Sequence, residues 1–189
     1  DLSAFVKLRD LNASYRNSRD ETVTWYRPND ATYGLGVNGV MDFSKHYPRR
    51  TGDLVVAVTQ IWSTHARQAT ARVGADWWLR VEVNGQEVFR SDRSIGGYGT
   101  GFRNEITLPL RAGWNDVVCT VAAGSAGHML WFKLSDPGDV RVQQAITTPE
   151  APPADLPSPE TLREDTVEVP FCLYVEATIG DDPYLFIPW

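Results

Sequence analysis

Trp77 and Trp78 stand side by side in a strand-like run, with Arg80 two residues further on. An indole face is a flat apolar surface on which a pyranose ring can lie, and recognition of such a ring adds a few convergent polar groups. Neighbouring strand residues point to opposite faces, so one indole belongs to a core and the other is free to stack. A plainer reading buries both, one in each of two packed layers. Tyr98 lies in the glycine-rich run Ser94-Ile95-Gly96-Gly97-Tyr98-Gly99-Thr100-Gly101-Phe102, and Arg103 follows it. The glycines around Tyr98 could form a flap over a ligand. They also suit a long strand connection that needs positive φ. The candidate ligand contacts are therefore Trp77, Trp78, Arg80, Tyr98 and Arg103. The glycine-rich run lacks the lysine and the strand-to-helix setting of a phosphate-binding loop, which excludes that chemistry.

Patterns for catalysis are weaker. His46, His65 and His128 are far apart, no spacing links them, and no nucleophile elbow accompanies them. Structural or surface histidine is the favoured reading of all three. Asp76, Glu82 and Asp92 are of the type that a glycoside hydrolase sets about 5–10 Å apart across a cleft. Nothing singles out a pair among 24 acidic residues, so no catalytic residue is assigned. Carboxylates and carbonyls near Asp42, Asp53 or Asp136 could supply an oxygen cage for a structural calcium ion, although no loop has EF-hand spacing. No CxxC or HxxxH spacing occurs, which excludes a structural zinc site. Cys119 and Cys172 both lie in apolar runs, consistent with either one disulfide or two buried thiols.

The elements that must position these residues are strands. Leu79, Val81 and Val83 alternate with Trp78, Arg80 and Glu82, and Asn84-Gly85 then reverses the chain into Gln86–Phe89. Asn-Gly between alternating runs is a hairpin signal, because both turn positions need positive φ. Further strands are expected at Glu21–Arg27, with Val23 and Trp25 inward, and at Leu54–Ser63, Ala66–Val73, Arg103–Pro109, Asn115–Ala122 and His128–Ser135. The short Ser63-Thr64-His65 connection favours an antiparallel pair between the strands it joins. Asp42–Pro48 has the form of a short helical turn capped by Asp42 or Ser44. Short strands at this spacing indicate an all-β sandwich or barrel. Thr147–Pro159 holds five prolines and reads as an extended connector. Thr166–Thr178 is again strand-like, and the apolar tail Tyr184–Trp189 is expected to pack on the sandwich or on a neighbouring domain.

The chain of 189 residues has a net charge of −6, which argues against nucleic acid and anionic membrane surfaces as partners. No apolar run approaches the roughly 18 residues of a membrane span. The opening Asp1-Leu2, without Met or a signal peptide, looks like a segment of a longer protein.

Several motifs occur in a characteristic order. Asp42-Phe43-Ser44 and Gly52–Ala57 lead into Arg72-Val73-Gly74-Ala75-Asp76-Trp77-Trp78 and a strand ending in Asn84-Gly85. Arg111-Ala112-Gly113-Trp114-Asn115 then precedes a long strand, and Trp131–Pro137 follows. This order resembles the galactose-binding-like jelly-roll accessory modules of secreted bacterial multi-domain hydrolases. The resemblance covers roughly residues 42–137 and is specific for fold. It implies an all-β, antiparallel, two-sheet jelly-roll sandwich; the sequence pattern of the whole chain places the sandwich over 1–145, a Pro-rich connector over 146–165 and a C-terminal strand pair over 166–189. Where the common pattern has a second acidic residue after Asp76, this chain has Trp77.

The resemblance also implies a function. The expectation is a non-catalytic carbohydrate-binding module, extracellular or periplasmic, that targets an attached enzyme to a polysaccharide. Its partners would be a glycan and a neighbouring catalytic domain; no cofactor is expected, although many jelly rolls of this kind carry a structural calcium. The alternative is a ligand-free structural or interaction domain, which the apolar tail ending in Trp189 favours. A third and weaker reading is a small complete enzyme on a jelly roll.

Overall fold

In the computed structural model of this chain, the residues described are 14–16, 20–24, 39–45, 53–91, 101–124, 127–135, 141–144, 167–168 and 173–178. They form the strands β1 (Ser14–Arg16), β2 (Thr22–Thr24), β3 (Val40–Asp42), β4 (Asp53–Ser63), β5 (Arg67–Asp76), β6 (Trp78–Val83) and β7 (Gln86–Arg90). They continue with β8 (Asn104–Leu110), β9 (Gly113–Ala122), β10 (Met129–Leu134), β11 (Arg141–Gln144), β12 (Val167–Glu168) and β13 (Leu173–Thr178). Among the described residues there is no α-helix, and no helix is long and apolar enough to cross a membrane. A single 3-10 turn, Phe43–Lys45, follows β3, and Asp42 caps it: Oδ1 accepts from the Ser44 amide at 3.0 Å.

Two antiparallel sheets face each other. One has the order β3-β10-β5-β8, with β12 joining β10 beyond β3. The other has the order β4-β9-β6-β7, with β11 and β13 sharing the outer edge of β4. From β3 to β10 the chain changes sheet at every connection except the β6–β7 hairpin. That is the order of a jelly roll, so the expected all-β jelly-roll sandwich is the fold. β12 and β13 add one strand to each sheet. The expected connector over 146–165 lies outside the described residues, as do Trp25 and the tail.

Alternation explains the core. Val55, Ala57 and Ile61 of β4, Leu79, Val81 and Val83 of β6, and Val117, Cys119 and Val121 of β9 point inward from one sheet. Ala69, Ala71, Val73 and Ala75 of β5, Ile106, Leu108 and Leu110 of β8, and Leu130, Phe132 and Leu134 of β10 meet them from the other. The small alanines of β5 share this one cluster with larger residues of both sheets. The β6–β7 hairpin closes at Asn84 and Gly85, whose φ values are 51° and 80°, as its sequence predicts.

One expected pairing is wrong. β4 and β5 are consecutive but lie in different sheets. The connecting Ser63–Ala66 has no residue suited to a tight primed turn, and the Ser63 hydroxyl instead donates to the His65 carbonyl at 2.7 Å. The chain therefore arches across the sandwich, and β4 pairs with β9 along its whole length, from Leu54–Ala122 to Ser63–Gly113.

The outer faces of the sheets differ. On the six-stranded sheet, Leu54, Val56, Val58, Trp78, Trp114, Val118 and Ala122 face away from the core cluster and are still buried. Both faces of β4 are thus dry, which is why its sequence is an almost continuous apolar run. On the five-stranded sheet the outer face is mixed: Gln68 and Arg72 on β5 and Glu105 and Thr107 on β8 are exposed, Thr70, Met129, Trp131 and Lys133 are half-buried, and Gly74 is buried.

Candidate functional site

The predicted contacts divide between the two sheets. Trp78 opens β6 on the outer face of the six-stranded sheet and packs with Leu54 and Ala122. Its side chain is 5% exposed, so its ring is enclosed. Trp77 is in the bend between β5 and β6, outside the strand alternation, and its amide donates to the Ala122 carbonyl at 3.0 Å. For that reason the two indoles do not point to opposite faces, as strand geometry alone predicts. They meet edge to face, 5.4 Å between centroids, in one cluster. A Cβ at Gly124 would lie 2.8 Å from Trp77 Cγ, so the main chain at Gly124 closes one side of that ring. Arg80 is half-buried beside them on the same outer face, and its guanidinium pairs with Glu82 at 3.5 Å.

Arg103 is on the other sheet, exposed, at the entrance to β8, and its amide donates to the Gly101 carbonyl at 3.0 Å. Tyr98 lies outside the described residues. Trp77, Trp78 and Arg80 are therefore brought together, and Arg103 is not among them.

Arg103 has different neighbours. β10 alternates so that Leu130, Phe132 and Leu134 are buried while Met129, Trp131 and Lys133 face out. Trp131 stands directly across from Gly74 of β5 and from Val40 of β3. Continuing the β5–β8 register one residue beyond Val73–Asn104 sets Arg103 level with Gly74. The outer face of the five-stranded sheet thus carries a row Val40, Trp131, Gly74, Arg103. The row beside it is Glu168, Lys133, Arg72, Glu105. The row on the other side is Asp42, Met129, Asp76. A glycine between large neighbours lets an indole lie down over the strand and present a flat face. Trp131 is half-buried and Gly74 is buried although it faces outward. Lys133 Nζ is 4.3 Å from the centroid of the Phe102 ring.

Sequence reasoning missed Trp131. The signal was there in the alternation of Met129–Leu134, which assigns Trp131 to the polar face. Its glycine partner needs the strand register, which no local pattern supplies.

The remaining chemistry-bearing residues have structural surroundings. His128 is buried, edge to face with Phe43 at 5.1 Å, with Nε2 3.3 Å from the Val121 carbonyl oxygen. His65 is exposed and within 3.1 Å of the Thr64 hydroxyl; His46 is outside the described residues. Of the carboxylates considered for hydrolysis, Glu82 pairs with Arg80 on the six-stranded sheet, Asp76 ends β5 of the other sheet, and Asp92 is outside the described residues. Cys119 is a free, buried thiol, and burial pushes it well above the usual thiol range. It serves as a small apolar core residue; Cys172 lies outside the described residues. Among the described residues no three His, Cys, Asp or Glu side chains converge on a point. Asp42 Oδ1 accepts from the amide and the hydroxyl of Ser44, and Asp53 is buried at the start of β4. Asp136 is outside the described residues.

No protein-family profile matches this sequence, and neither does any curated protein. Among solved structures, the chain is similar to the Streptomyces avermitilis α-L-rhamnosidase crystallised with L-rhamnose. The two are 12% identical with a TM-score of 0.37, over 75% of this chain and 16% of the rhamnosidase chain.

Proposed function

We propose that this chain is a non-catalytic carbohydrate-binding module of the galactose-binding-like kind, one that holds an attached enzyme near a polysaccharide outside the cytoplasm. The observation that carries this reading is Trp131. It is a half-buried tryptophan on the outer face of the five-stranded sheet, opposite a glycine, with Lys133, Arg72, Glu105 and Arg103 in the same and the next cross-strand row. An aromatic face ringed by hydrogen-bonding side chains is what a sugar ring needs, since its C–H face stacks and its hydroxyls bond at the edge.

A second reading, a ligand-free structural domain, is favoured by a different observation. Trp77 and Trp78, one of which was a candidate to stack on a sugar, pack together with Leu54 and Ala122, and the outer face of β4 beside them is dry. Affinity electrophoresis through gels of soluble polysaccharides, run beside a glycan array, separates the two. Retardation that is lost in Trp131→Ala supports the module. Migration like an inert control in every gel, with no array signal, leaves the structural domain. Sugar release by the isolated chain, abolished by a single carboxylate or histidine substitution, would overturn both.

A further inference from the structure

The outer face of the six-stranded sheet stays dry although it is turned away from the core. Leu54, Val56, Val58, Trp78, Trp114, Val118 and Ala122 line it, and none of them is more than 8% exposed. The face runs about 27 Å along β4, from Leu54 to Trp62, and about 10 Å across to β6. Among the described residues, the only strands outside the two sheets are β1 and β2, and they lie beside β13. A pair of three-residue strands is about 10 Å long and 5 Å wide, too small to keep water off the whole face. The remaining cover is therefore an apolar stretch of the chain that can reach this surface.

The strand register brings one such stretch to its edge. Ala177 of β13, Leu54 of β4, Ala122 of β9 and Trp78 of β6 stand in one cross-strand row. β13 ends one residue later, at Thr178 beside Asp53. The turn-forming residues Gly180-Asp181-Asp182-Pro183 come next, and then Tyr184-Leu185-Phe186-Ile187-Pro188-Trp189. Five of those last six residues are apolar or aromatic, more than in any other six-residue stretch outside the described residues. Six extended residues span about 20 Å, and the row from β13 to β6 only about 14 Å. We infer that Tyr184–Trp189 lies across this face as a third layer, with Leu54, Val56, Val118 and Trp78 beneath it. Pro188 has no amide hydrogen, which suits a segment that packs through its side chains and does not extend a sheet. The inference stands apart from the carbohydrate-binding reading. It closes the six-stranded sheet to ligands and leaves the five-stranded sheet as the face open to one.

The test is thiol accessibility in a chain whose own cysteines are replaced by Cys119→Ala and Cys172→Ser. Val118→Cys reports on the covered face, and Thr107→Cys, exposed on the five-stranded sheet, is the control. Removing residues 184–189 should speed modification at position 118 about tenfold or more and leave position 107 unchanged, because local opening is then no longer needed. It should also raise the binding of anilinonaphthalene sulfonate, with circular dichroism showing the β fold retained. Leu185→Asp together with Phe186→Asp in the 189-residue chain should act in the same way, and decides the matter if the shortened chain does not fold. If position 118 reacts as fast as position 107 in the 189-residue chain, the face is open and the inference fails. If position 118 stays protected through both changes, another segment covers the sheet and the inference fails as well. A fall in dye binding on removal would show that Tyr184–Trp189 had been exposed, which also overturns it.

Discussion

The side-chain amide of Asn84 donates to Asn115 Oδ1 at 2.8 Å, joining the tip of the β6–β7 hairpin to the turn that opens β9. Asn115 Oδ1 also accepts from the Arg111 amide at 2.9 Å, and its Nδ2 reaches the carbonyls of Arg111 and Gly113 at 2.9 and 3.0 Å. In return, Asn84 Oδ1 accepts from the Asp116 amide at 3.1 Å. The Asn-Gly and Gly-Trp-Asn motifs, 31 residues apart in the chain, are thus two halves of one polar knot. The scaffold accounts for both motifs, and a ligand is not needed to explain them.

Asn115 is fully buried, so truncating it strands several main-chain groups away from water. Asn115→Ala should lower stability by roughly 2–4 kcal/mol, since each buried group left unpaired costs about 1–3 kcal/mol. Asn84→Ala, at a partly exposed turn, should cost less. Urea unfolding of the two variants, read by tryptophan fluorescence, checks the order.

Trp78 and Trp131 should respond in opposite ways. Trp78→Ala opens a cavity beneath the outer layer of the six-stranded sheet and should cost about 3–5 kcal/mol. Trp131→Ala removes a half-buried ring from the mixed outer face of the five-stranded sheet and should cost about 1 kcal/mol. Guanidinium unfolding midpoints measure both. A large loss at Trp131 would mean that the residue is structural and would weaken the proposed site.

Gly124 touches Trp77 so closely that an added methyl must displace the ring. Gly124→Ala should destabilise by about 1–3 kcal/mol through overpacking. Replacing Trp77 by Ala as well should relieve part of that cost. A double-mutant cycle with a coupling of at least about 0.5 kcal/mol is the expected outcome, and simple additivity would contradict the contact.

The Cys119 thiol carries the pH dependence. Its folded pKa lies above the unfolded value because burial disfavours the thiolate. Above the unfolded thiol pKa of about 8.5, the unfolded chain releases a proton that the folded chain keeps, so stability falls as pH rises. The slope should approach about 1.4 kcal/mol per pH unit and should vanish in Cys119→Ala. In a Cys172→Ser background, a thiol reagent at pH 8 should leave the native chain unlabelled and react fully in urea.

The strands and the inner core were legible in the sequence because two-residue alternation is local. Leu79, Val81 and Val83 announce their side of β6 without knowledge of any other strand. The positive φ of Asn84 and Gly85 was equally local. The β4–β5 arch was not, because a short connection fits both a hairpin and a crossing between sheets. The site was less legible still. Whether an outward indole is dry, as at Trp78, or half-buried, as at Trp131, depends on what covers each outer face. Trp131 meets Gly74 only through the β10–β5 register, and register is a property of paired strands rather than of either one.

The edge of β4 has a further consequence. β13 pairs with Val58 back to Asp53, and β11 pairs with Thr59 to Trp62, so two short segments far apart in the chain divide one long strand edge between them. That edge belongs to the most apolar strand of the protein. If the chain were cut after Gln144, the hydrogen-bonding groups of Leu54–Val58 would be left to recruit the same stretch from another copy. Such a truncated protein should aggregate at concentrations where the full chain stays dispersed. The last quarter of the sequence thereby acts as a guard against self-association as well as a contributor to the sheets.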